Sequence, residues 1–175
     1  MTTPEFSRSF ALNTIGGTAR AVSIAAEAEE RAALAARFDL VAIDRLEATA
    51  TLINEGDAIL CAGTLSAEVI QECVATAAPV AGALKCDFAI RFVAHLTNDT
   101  PADEIEIDVE DCDMIEHDGQ SIDLGEAVAQ SLLLALDPFP RAKNAAERLK
   151  AAGVISENEV GSAAFAGLKS LLGKG

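Results

Sequence analysis

RLEATATLINEGDAILCAGTLSAEV, residues 45–69, decides the fold. Leu46, Ala48, Ala50 and Leu52 alternate with Arg45, Glu47, Thr49 and Thr51, the period of a strand with one face buried. Asn54, Glu55, Gly56 and Asp57 then supply turn chemistry. The following run places Ile59, Cys61, Gly63, Leu65, Ala67 and Val69 on one face and Thr64, Ser66 and Glu68 on the other. Past a loop around Pro79, Val80, Gly82, Leu84, Cys86, Phe88, Ile90 and Phe92 alternate with Lys85, Asp87 and Arg91. Three long consecutive strands with short connections make an antiparallel meander that buries one face. Such a sheet needs a cover, and helices on either side of it in sequence are the candidates.

Upstream, Phe6, Phe10 and Leu12 suggest a short extended segment broken at Gly16 and Gly17, and Ala21, Val22 and Ile24 a second one. AAEAEERAALAARF, residues 25–38, is rich in strong helix formers, with Glu early and Arg late as the helix dipole prefers. Leu34 and Phe38, four apart, share one face of that helix. Downstream, residues 96–102 read as a polar loop. Ile105, Ile107 and Val109 alternate with Glu104, Glu106, Asp108 and Glu110 as a short strand with an acidic outer face, and residues 110–119 read as loop. SIDLGEAVAQSLLLALDPFPR, residues 121–141, is a helix in which Asp123 and Glu126 form a D-x-x-E variant of the capping box. Leu124, Ala127, Val128, Ser131, Leu132 and Ala135 give it a broad apolar stripe, and Pro138 and Pro140 end it. The Ala- and Lys-rich remainder reads as partly helical, with Phe165, Leu168 and Leu172 on one small apolar face. The expected architecture is α+β: an antiparallel sheet, open to barrel closure, with packed helices. Residues 1–140 form a single domain and residues 141–175 a basic, partly helical tail.

Charge is split along the chain. From His95 to Asp137 there are thirteen Asp and Glu residues and no Lys or Arg; from Pro138 to Gly175 there are six Lys or Arg against three Glu. With seven basic and twelve acidic residues before His95, the segments sum to −5, −13 and +3, the net −15. A body this negative repels phosphate and suits a basic protein partner, so any role with nucleic acid runs through such a partner or through the basic tail. No run reaches the roughly 18 apolar residues of a spanning helix, and MTTPEFSRSF at the start has no apolar signal core. Four cysteines without tight spacing fit a reducing compartment, and the cytoplasm is expected.

Candidate chemistry is sparse. Cys61, Cys73, Cys86 and Cys112 with His95 and His117 are six possible metal ligands, but none forms the C-x-x-C knuckle of structural zinc. Cys61 and Cys86 fall on apolar strand faces, where a thiol acts as a small hydrophobe. DVEDCDMIEHDG, residues 108–119, lacks the calcium-loop spacing and reads as a solvated acidic loop. No G-x-S-x-G elbow is present and only two His could serve as base, which points away from catalysis. Phe88 and Phe92 lie on the apolar side of their strand and read as core, not as stacking platforms.

The order of motifs resembles the YceD family in its α-proteobacterial form. The resemblance rests on AEERAALAARFDLVAIDRLEATATL (28–52), LSAEVIQECVATAAPVAG (65–82), FAIRFV (88–93), IDLGEAVAQSLLLALDPFPRA (122–142) and AAFAGLKSLL near the end. It covers roughly residues 28–172, and the I-D-L-G-E helix running into P-x-P-R is its most specific block. Some relatives carry C-x-x-C in the central segment; here Cys73 keeps the first Cys and Thr76 stands at the second. Gln130 stands where an acidic residue is common. The resemblance implies a cytoplasmic factor, without established catalytic residues or cofactor, that supports accumulation of 23S ribosomal RNA and large-subunit assembly.

Two expectations follow. In the first, the protein holds a basic ribosomal or RNA-processing protein. Asp103, Glu104, Glu106, Asp108, Glu110, Asp111, Asp113, Glu116 and Asp118 supply attraction, and Pro138, Phe139 and Pro140 an apolar anchor. Arg141, Lys143, Arg148 and Lys150 are the weaker candidates for RNA contact. In the second, the protein is a metal-dependent RNA-processing enzyme whose acidic stretch gathers magnesium.

Overall fold

A computed structural model describes residues 4–94 and 113–154. Its elements are β1 (Ser9–Ala11), a 3-10 turn (Leu12–Thr14), β2 (Arg20–Ala25), α1 (Ala28–Arg37), β3 (Ala42–Asn54), β4 (Ala58–Glu72) and β5 (Pro79–Ala94). Beyond the second interval follow β6 (Asp113–His117), β7 (Ser121–Asp123), α2 (Leu124–Ala135) and α3 (Ala145–Ala151). The chain divides into two compact units, residues 1–71 with 81–138, and residues 72–80 with 139–175.

The first unit is built on a five-stranded sheet in the order β2-β3-β4-β5-β6. β2 and β4 pair antiparallel with β3, while β6 runs parallel to β5, with Phe92 opposite Ile115. The fold class is α+β, as the alternation predicts. The sheet is open, ending on β2 and β6, and does not close into a barrel. Among the described residues no ladder joins the two edge strands β2 and β6. β6 also replaces part of the loop expected over residues 110–119, because Met114 and Ile115 sit among four charged neighbours and carry no clear alternation. The acidic strand expected around Ile105 lies outside the described residues.

One face of the sheet is the core. Leu46, Ala48, Ala50 and Leu52 from β3, Cys61, Leu65, Ala67 and Val69 from β4, and Phe88, Ile90 and Phe92 from β5 are buried in one cluster with Leu34 of α1 and Leu124, Ala127, Val128 and Leu132 of α2. The first half of β5 departs from expectation: Gly82 is exposed and Leu84 and Cys86 are only partly buried.

α1 begins at a complete capping box. Glu27 and Glu30 each bond the other's backbone amide, satisfying two donors that a helix start leaves open. α2 is capped differently. Asp123 accepts from Gly125 N and Glu126 N, but Glu126 does not reach back as the D-x-x-E reading requires. Its carboxylate turns to Arg37, which donates through Nη1 at 2.8 Å and Nη2 at 2.7 Å. A bidentate guanidinium partner outcompetes a single backbone amide. The stripe of α2 is buried as expected at Leu124, Ala127, Val128 and Leu132, with Ala129 buried beside it and Ala135 exposed, while Leu133 and Leu134, outside it, project outward at 47% and 76% exposure.

The second unit is a clasp. The turn after β4 lies against the chain leaving the P-x-P-R stretch: Val74 N donates to Pro140 O at 3.0 Å, and Ala142 N to Cys73 Sγ at 3.3 Å. Within the turn, Thr76 N and Ala77 N both donate to Cys73 O, and Cys73 N donates to Ala78 O. This closure holds Ala77 at φ 53°, a left-handed conformation that costs a non-glycine residue about 1 kcal/mol.

Candidate functional site

The described acidic candidates gather at β6 and the turn after it. Asp113, Glu116 and Asp118 are exposed. Asp118 is not only a solvated charge: its carboxylate accepts from Gln120 N at 2.8 Å and Ser121 N at 3.0 Å, and these bonds hold its pKa below the ordinary carboxylate range. His117 Nδ1 accepts from Gly119 N in the same turn. Asp103, Glu104, Glu106, Asp108, Glu110 and Asp111 lie outside the described residues.

In the exit segment, Pro138 is exposed and Phe139 is 72% exposed, whereas Pro140 is buried. Burial removes Pro140 from the expected apolar anchor and makes it the strut that receives Val74 N. Arg141, Lys143, Arg148 and Lys150 are all exposed, the last two on α3.

The described cysteines differ sharply. Burial pushes the Cys61 thiol up to about 12 and raises Cys86 as well, with Asp87 adding to the second. Cys73 is only 2% exposed, yet its thiol is lowered to about 7, chiefly because the Ala142 amide donates to the sulfur at 3.3 Å and outweighs burial. Thr76 Oγ1 is itself buried and has no hydrogen-bond partner among the described residues.

This has a pH consequence. A thiol near 7 folded and near 9 unfolded adds stability fully above 9, which is lost as pH falls through 7. The difference in urea midpoint between wild type and Cys73→Ala is therefore expected to grow from pH 6.5 to 9.5. A difference constant over that range would show that the sulfur's charge is not held by the Ala142 amide.

The I-D-L-G-E block turns out to be a fastening. Ile122 and Leu124 are 1% and 0% exposed. The Asp123 carboxylate also accepts from Ser7 Oγ at 2.5 Å and Arg8 N at 2.8 Å, tying the N-terminal segment to α2. Gly125 lies under that segment, where a Cβ would stand 2.4 Å from Phe6 O. Arg37 joins Glu126 to Glu5, and Arg8 grips Glu30 through two bonds of 2.6 and 2.8 Å. These partners hold Glu126 and Glu30 below the ordinary carboxylate range, and Glu5 is held there first by a backbone hydrogen bond and then by Arg37. The block carries no group arranged for chemistry.

The outward face of the sheet carries an open cleft of about 530 Å³, lined by Ser23, Thr49, Thr64, Ser66, Glu47 and Lys85 among others. Its polar groups are partly committed, Thr64 Oγ1 to Asp87 at 2.7 Å and Glu47 to Arg45. Among the described residues no three His, Cys, Asp or Glu side chains converge as metal ligands, and no helix is long and apolar enough to cross a membrane.

What sequence reasoning missed is the clasp: Cys73 and Ala142 are 69 residues apart, and no periodicity links them.

Searches among curated proteins and among solved structures found no match. A family model does match residues 61–172, which holds most of the sheet, the clasp and the α2 block. The chain belongs to the YceD family, described as the large ribosomal RNA subunit accumulation protein YceD.

Proposed function

We propose that this protein supports accumulation of 23S ribosomal RNA and assembly of the large subunit in the cytoplasm. It does so without catalysing a reaction, by holding a basic ribosomal or RNA-processing protein on its acidic surface. The observation that carries this reading is the segregation of charge, thirteen acidic and no basic residues from His95 to Asp137, with Asp113, Glu116 and Asp118 exposed at β6 and the turn after it. Charge complementarity of this kind speeds encounter and rejects acidic competitors, and it weakens as salt rises. The α2 block supports the same reading by its role: its side chains are consumed in fastening the N-terminal segment and α1.

The test is affinity capture from lysate at low salt, with and without nuclease, followed by titration of the basic large-subunit protein recovered. Retention through nuclease and a steep loss of affinity with salt are expected. Each exposed charge pair contributes about 0.2–1 kcal/mol. The combined Asp113→Lys, Glu116→Lys, Asp118→Lys variant is therefore expected to bind roughly 3- to 150-fold more weakly. An affinity unchanged from low to high salt would sink the electrostatic mechanism.

A further inference from the structure

Phe139 is 72% exposed, whereas Phe6, Phe88 and Phe92 are buried and Phe10 and Phe38 are packed partly against the core. Its exposure is not that of a loose loop. Pro140 fixes its own φ and confines Phe139, the residue before it, to extended backbone. The chain is then pinned at Pro140 O by Val74 N, at Ala142 N by Cys73 Sγ, and at Ala142 O by Ala145 N, with Ala145 4% exposed. An aromatic ring presented from a held backbone loses little entropy when it is covered.

Along the chain from the ring onward the charge is opposite to that of the acidic stretch. Residues 139–154 contain Arg141, Lys143, Arg148 and Lys150 against Glu147, four basic and one acidic, or +3. Arg141, Lys143 and Arg148 are exposed, and Val74, hydrogen-bonded beside Pro140, adds apolar surface at 54% exposure. A basic protein is repelled by this patch. An acidic peptide would meet the cations and leave the ring face unused. In a duplex the bases are stacked away from the ring. Unpaired bases with flanking phosphates match both parts.

We propose that residues 139–148 form a contact for single-stranded RNA, in which Phe139 stacks on an unpaired base and Arg141, Lys143 and Arg148 meet the adjoining phosphates. This goes beyond holding a basic protein and does not rest on it. The protein would then touch RNA with its basic clasp and a protein with its acidic surface.

The experiment is fluorescence anisotropy of the full chain with a labelled, mixed-sequence single-stranded RNA of about 12 nucleotides, within the span one such surface covers. Three phosphate contacts predict a log–log salt slope of about −2. Phe139→Ala is expected to weaken binding by about 5- to 150-fold, the range that 1–3 kcal/mol of stacking implies. Phe139→Trp should retain it, and Arg141→Ala with Lys143→Ala should flatten the slope by about 1.4. All variants alter exposed side chains, and circular dichroism melting checks that they fold as wild type does. Reversing Asp113, Glu116 and Asp118 should not weaken RNA binding, which separates this contact from the protein-holding surface. No binding at the lowest salt, or equal binding by wild type and Phe139→Ala, overturns the proposal. So does a Phe139→Ala variant that keeps RNA but loses the basic protein, because the ring is then a protein anchor.

Discussion

Gly63→Ala is expected to destabilise the first unit by about 3 kcal/mol or more, or to leave it unfolded. Gly63 lies opposite Ala50 in the β3–β4 ladder. A Cβ there would stand 2.2 Å from the Thr49 carbonyl oxygen, 2.7 Å from Ala50 Cα and 2.9 Å from Ala50 Cβ. Two of the three obstacles are backbone, so no rotamer change relieves them, and the strands themselves must separate. Both strands are hydrogen-bonded on either side of this point and bury Leu52, Cys61 and Leu65. Separation would open the centre of the core. Against a total stability of about 5–15 kcal/mol, a loss of this size is a large fraction. Gly82→Ala on β5 is the matched control: a Cβ there meets nothing within 4 Å. It is expected to fall within about 0.5 kcal/mol of wild type. Urea midpoints measure both. A soluble Gly63→Ala protein with the wild-type midpoint would show that the strands can part at little cost.

Asp123→Ala is expected to cost about 3 kcal/mol. The carboxylate caps α2 through Gly125 N at 3.0 Å and Glu126 N at 3.2 Å, and loss of a cap alone costs about 1–2 kcal/mol. It also receives Ser7 Oγ and Arg8 N, so its removal strands a partly buried amide 115 residues away in sequence, at about 1–3 kcal/mol. Not all of this adds, because water reaches the site once the segment loosens. Asp123→Asn keeps one acceptor oxygen and is expected to retain roughly half of the stabilisation. Hydrogen exchange at Arg8 N separates the two contributions: it should accelerate strongly in Asp123→Ala. If that amide stays protected, the N-terminal segment is held by Phe6 and the Arg8–Glu30 pair instead.

Much of the architecture was legible because it is local. Alternation over residues 45–69 and 80–92 assigns strand and face together, and every β3 residue assigned inward, from Leu46 to Leu52, is buried. The α1 helix was legible from its composition, and it shortened at its start because the capping box forms at Glu27. β6 was not legible. Its five residues earn their place by pairing with β5, a non-local ladder that leaves no signature in a stretch dominated by charge. For the same reason the alternation was compatible with a barrel, and only the strand order, whose two edge strands β2 and β6 do not pair, settled an open sheet.

For the candidate surfaces the division runs the same way. Net charge and its segregation are sums over residues and depend on no fold, so the preference for a basic partner could be argued from composition. Whether a side chain faces water depends on what the chain brings against it. Pro138, Phe139 and Pro140 are indistinguishable as an apolar triplet, but the turn after β4 arrives at Pro140 and leaves Phe139 in solvent. Glu126 belongs by spacing to a capping box and by geometry to Arg37, 89 residues away, because a two-bond charged partner outweighs a local amide. Short-range periodicity reports which face a residue takes within its own element; which element then covers that face is decided by packing between distant segments.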